Sequence, residues 1–146
     1  MIEKDTVRLL RECDSGVRMG LSSLREVKNR VESRSLRQVL AECEKEHEAI
    51  QSDIDSLLAK CRDHGKKPNG LALLMSRAKT EASLLIHGGK RDATVASLMT
   101  DGCNMGVKSL SRYLNQYKAC SEDAKDTAKR LVSSEERLAK ACRAYL

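Results

Sequence analysis

From Leu36 to Cys61 the side chains Leu36, Leu40, Cys43, His47, Ile50, Ile54, Leu57 and Cys61 recur at alternating steps of four and three. That period predicts one helix, over about 36–63, burying a single stripe. A second stripe, Leu10, Cys13, Val17, Leu21, Leu24, Val27 and Val31, predicts a helix over about 5–31 with Asp5 as its cap. Ser35 and Gln38 form a capping box at the start of the next helix, and Gly65 and Pro68 close it. Ala96, Met99, Cys103, Gly106, Leu110, Tyr113 and Tyr117 give a helix over about 93–119, behind Asp92. Ser121 caps the last helix, about 122–145, whose stripe is Ala124, Ala128, Leu131, Glu135, Leu138, Cys142 and Tyr145.

Between the helices over about 36–63 and about 93–119 lies a connector with its own helix, about 70–87, opened by Asn69 and closed by Gly88-Gly89. Leu71, Leu74, Ala78, Ala82 and Leu85 supply its apolar stripe. Such a helix reaches roughly 27 Å, enough to carry the chain back along its neighbours.

The chain contains an internal repeat. Ser15–Leu24 aligns with Asp101–Leu110 at an offset of 86, with five of ten positions identical, including Met19-Gly20 over Met105-Gly106. Two copies of one helical hairpin are therefore expected. A nearby offset of 91 lays Glu44 over Glu135 and His47 over Leu138.

Composition agrees with an all-α reading. Phe and Trp are absent and Tyr occurs three times, against the aromatic preference of strands. The single proline, Pro68, leaves room for long unbroken helices. At 146 residues one domain, 1–146, is expected. With no apolar run of membrane-spanning length and a polar, charged start, a cytoplasmic protein with no membrane partner is expected. Six scattered cysteines, mostly on apolar stripes, read as reduced core residues. The net charge of +6 permits nucleic acid or an acidic partner, but the basic groups at Lys60–Lys67 and Lys90-Arg91 read first as solvated helix ends.

Two hairpins joined by a long crossover, with Glu44 and His47 in a Glu-x-x-His spacing on the second helix, resemble the ferritin-like four-helix-bundle fold. Within it the chain is most similar to small bacterial members of unknown function. In di-iron members each hairpin supplies one Glu from its first helix and Glu-x-x-His from its second. The resemblance carries over Glu44, His47 and Glu135 as metal ligands. At their levels on the first helices stand the two Met-Gly pairs, where the family has bridging carboxylates, and Leu138 takes the place of the second histidine. A working two-metal oxidase is not expected from half a ligand set.

Three functions follow as expectations. The first is a non-enzymatic structural, interaction or stress-related bundle that self-associates and needs no cofactor. The second is a metal-binding or redox protein holding Fe, Mn or Zn through Glu44, His47 and Glu135. The third is a basic bundle that coats nucleic acid. Gly16, Gly20, Gly102 and Gly106 are expected to let helices approach closely, the alternative being room for the Glu44 and Glu135 side chains or a small ligand. His64 and His87 stand at helix ends as caps, and Gly88-Gly89-Lys90 lacks the spacing of a phosphate loop.

Overall fold

The computed structural model describes residues 2–63, 65–86 and 90–146, so His64, His87 and the Gly88-Gly89 stop lie outside the described residues. Among the described residues the chain is all-α. Helix α1 spans Ile2–Val27, α2 Arg34–Lys60, α3 Gly70–Ile86, α4 Arg91–Gln116 and α5 Glu122–Cys142. Short 3-10 turns, Lys28–Arg30 and Arg143–Tyr145, extend α1 and α5.

α1 pairs with α2 and α4 with α5. The two hairpins then pack α2 on α5 and α1 on α4, while α1 and α5 also meet through the middle. Two apolar clusters fill the interior. One holds Leu24, Leu36, Leu40, Val95, Met99 and Cys142; the other holds Leu9, Cys13, Ile54, Leu110, Ala124 and Leu131. Following each helix from one cluster to the other shows that the pairs α1–α2, α4–α5, α2–α5 and α1–α4 run antiparallel, while α1 and α5 run parallel. α3 lies outside, against α1 and α4.

The stripe expected on α1 is buried throughout. On α2 it ends on Leu58, with Leu57 and Cys61 only half-buried, because an α-helix drifts off a strict heptad by about 20° per repeat. The stripe expected on α3 is corrected. Leu74 is exposed and so are Ala78 and Ala82, while the inward residues are Leu73, Thr80 and Leu84; the side chains of Leu71 and Leu85 lie outside those described.

Helix ends also differ from the expected caps. Ser33, not Ser35, caps α2, its Oγ accepting from the Leu36 amide at 3.2 Å. Asp5 lies inside α1 and its carboxylate accepts from Ala119 N at 3.4 Å instead. α2 stops on Arg62, whose φ of 56° is left-handed. The Asp63 amide bonds Leu58 O and the Arg62 amide bonds Ala59 O, which closes a Schellman motif three residues before Gly65. Gly65 is also left-handed, at φ 79°, for another reason: a β-carbon there would stand 2.5 Å from Asp14 Oδ2. Buried Asp14 accepts from Lys66 N at 3.0 Å and from Arg18 Nε at 2.9 Å, fastening the start of the connector to α1.

Each hairpin's turn is held by the first turn of the other hairpin. Asp92, at the start of α4, accepts from Glu32 N at 2.7 Å and Ser33 N at 2.8 Å. Thr6, near the start of α1, accepts from Ser121 N at 2.8 Å, and Ser121 caps α5 as expected. Thr6 and Asp92 are related by the repeat offset of 86, whereas the caps Ser33 and Ser121 are related by 88. From the repeat to the cap the second hairpin runs two residues further (Leu110 to Ser121 against Leu24 to Ser33), so the second helices of the hairpins correspond at 88 and not at 91.

Candidate functional site

At that corrected offset His47 of α2 corresponds to Glu135 of α5. Both are buried, and both lie in the layer that separates the two apolar clusters. Each faces the matching glycine of its own hairpin. A β-carbon on Gly20 would lie 3.0 Å from His47 Cδ2 and 3.1 Å from Nε2. One on Gly106 would lie 2.8 Å from Glu135 Cδ and collide with Oε2. These two glycines therefore give room to side chains from α2 and α5. The close-packing role expected for all four is corrected: Gly16 and Gly102 meet nothing within 4 Å of such a β-carbon.

His47 Nδ1 donates to the Cys43 carbonyl at 3.0 Å, one helical turn back. The carbonyl only accepts, so the ring proton sits on Nδ1. Cys43 Sγ and Ser134 Oγ each approach the same nitrogen at 3.5 Å. On the other edge, Nε2 stands 3.9 Å from Glu135 Oε1, an ion-pair separation too long for a hydrogen bond. Burial presses the imidazole toward its neutral form, but contact with Cys43 and Glu135 outweighs it and raises its pKa to about 10. This upward shift favours an imidazolium beside a carboxylate, the arrangement that lets two charges share a dry interior. Glu135 Oε2 is buried without a hydrogen-bond partner among the described residues.

The layer reaches the surface through Ser134, whose hydroxyl donates to Glu46 Oε2 at 2.7 Å, the same oxygen that takes Arg137 Nη2 at 2.7 Å. Burial pushes the Glu46 carboxyl up, but these two bonds outweigh it and hold it below the usual range. Ser134 and Glu46 lie beside the apolar stripes, so stripe periodicity gives no signal for them.

Of the three expected ligands, the structure brings His47 and Glu135 together and turns Glu44 away. Glu44 Oε2 accepts from Lys28 Nζ at 2.8 Å, and Oε1 lies 3.6 Å from Arg25 Nε. The Lys28 bond, helped by Arg25, lowers its carboxyl below the ordinary value against some burial. A two-metal carboxylate centre does not fit this layer. It needs acids on α1 and α4, and a side chain at residue 106 could enter only by displacing Glu135. Among the described residues no group of three or more His, Cys, Asp or Glu is arranged to hold a metal ion.

Compared with known proteins, the chain matches no family model, no curated protein and no solved structure.

Proposed function

We propose that the chain is a ferritin-like four-helix bundle acting as a non-enzymatic structural or interaction protein of the cytoplasm, and that it self-associates. The antiparallel order of α1, α2, α5 and α4, with a helical crossover between the hairpins, supports the fold reading. No helix among the described residues is long and apolar enough to cross a membrane. One observation carries the functional reading. Where a two-metal site needs carboxylates, Gly20 and Gly106 leave room only for the His47–Glu135 pair, which occupies the layer.

Elemental analysis of protein purified without chelator, together with light scattering, tests it. The expected result is no stoichiometric Fe, Mn or Zn and a mass above that of one chain. Two metals per chain, or a strict monomer, contradicts it.

A second reading rests on a specific feature of the same layer. His47 Nε2 and Glu135 Oε1 flank a 3.9 Å gap, and Glu135 Oε2 has no partner among the described residues. A single Fe, Mn or Zn held by these two side chains, with Glu44 recruited from Lys28, has an oxygen to use. One metal per chain, lost in His47→Ala, would favour this reading over the first.

A further inference from the structure

α3 is apolar on two faces. Leu73, Thr80 and Leu84 turn inward. Leu74, Met75, Ala78 and Ala82 form a contiguous arc of about 100° on the outside, by helical spacing of 100° per residue. Leu74 and Met75 are 65% and 64% exposed, so two large apolar side chains stand together in water. Scattered exposed apolar residues need no explanation, but an adjoining pair backed by two alanines on one helix face does.

The same segment carries the protein's charge. Residues 60–91 contain eight Lys and Arg against two Asp and Glu, a net of +6, which equals the net charge of the whole chain. The remaining residues are balanced, 19 against 19. Both acids of the segment are engaged by the first hairpin: Asp63 pairs with Arg11 of α1 at 3.4 Å, and Glu81 pairs with Arg30 of the 3-10 turn that follows α1. Lys79 is exposed on α3, while exposed Arg77 donates to Ser22 Oγ of α1 at 3.3 Å and, with Lys67, lines the groove on the inner side.

We propose that α3 lies on an anionic lipid surface, with Leu74 and Met75 entering the boundary between headgroups and acyl chains and the basic residues around them meeting lipid phosphates. Shape favours lipid over a protein partner. The ridge is convex, and the open groove beside α3 runs along its inner side, lined by Leu73, Arg77, Leu21 and Ser22. A partner helix needs a groove to enter, whereas a bilayer accepts a protruding apolar ridge flanked by cations. The absence of a spanning run, behind the expectation of no membrane partner, does not bear on a helix lying flat. This proposal gives the interaction role above a partner and rests on that reading, but on residues remote from His47 and Glu135.

Vesicle flotation of the full chain tests it. Vesicles of phosphatidylcholine mixed with phosphatidylglycerol are expected to float roughly tenfold more protein than phosphatidylcholine alone. The difference should vanish near 1 M salt, where screening shortens to about 3 Å. Leu74→Glu with Met75→Glu should lower binding roughly tenfold while helical content and oligomeric mass stay as in the wild type. Equal flotation on neutral vesicles, no flotation on anionic ones, or full binding by the double variant overturns the proposal. So does a DNA duplex that binds the double variant as well as the wild type and strips the protein from vesicles, which would make the connector a polyanion site. Metal content and oligomeric mass report on the earlier reading separately.

Discussion

Gly106 of α4 lies directly against the Glu135 carboxylate of α5, so a β-carbon at 106 would collide with Oε2. Four residues earlier, Gly102 faces open space. The two positions share helix and residue type, so they separate the cost of a glycine from its purpose. Gly106→Ala should destabilise by about 2 kcal/mol or more, since it displaces a buried charge. Gly102→Ala, and Gly16→Ala on α1, should stabilise by about 0.5–1 kcal/mol through helix propensity alone. Urea unfolding of the three variants checks the opposite signs.

Alkaline pH should weaken the fold through His47. Its folded pKa, about 10, lies above the ordinary 6.5, so its stabilisation is complete below about 6.5 and is lost as pH rises through about 10. Cys13 and Cys142, raised to about 12 and about 11 by burial first of all, add an alkaline loss of the same sign. Glu135→Gln removes the glutamate's part of the His47 share and leaves the Cys43 part and the thiol share. Melting temperatures between pH 6 and pH 10 should therefore fall more steeply in the wild type than in the variant.

The cross-braces between hairpins should be measurable one at a time. Asp92→Ala leaves the Glu32 and Ser33 amides without their acceptor and should cost about 1–2 kcal/mol. Thr6→Val removes a single bond to Ser121 N and should cost about 1 kcal/mol. These two sites share no partner, so the double variant should show near-additive loss in chemical denaturation.

Five of the six cysteines are buried, and Cys61 alone is half-buried. A thiol reagent added to native protein should therefore label Cys61 first, with Cys13 and Cys103 protected until the chain unfolds. Mass spectrometry of the labelled peptides gives the order.

Much of this was readable from periodicity, because α1, α2 and α5 each bury one stripe and expose the rest. α3 defeats the method for a physical reason. It is apolar on opposite faces, and spacing cannot tell which face meets α1 and α4. Capping failed where the deciding contact is distant: both Ser33 and Ser35 suit a cap, and Asp92 on another hairpin favours Ser33. The levels of Gly20 and Gly106 followed from the turn positions. Glu44 stands apart from His47 because Arg25 of α1 and Lys28 of the turn after it pair with it, contacts that spacing along α2 does not show. The repeat register differs, 91 against 88, because the two extra residues between Leu110 and Ser121 lie outside the ten-residue match.

In the middle of the bundle His47 of the first hairpin meets Glu135 of the second, a pair whose charge depends on the protonation of the ring. Nitrogen-15 NMR of the His47 ring across pH measures it directly. An imidazolium that persists well above pH 7 and titrates near 10, moving toward 6.5 in Glu135→Gln, is the predicted result. A ring that titrates at or below 6.5 in the wild type, unchanged by Glu135→Gln, would contradict it.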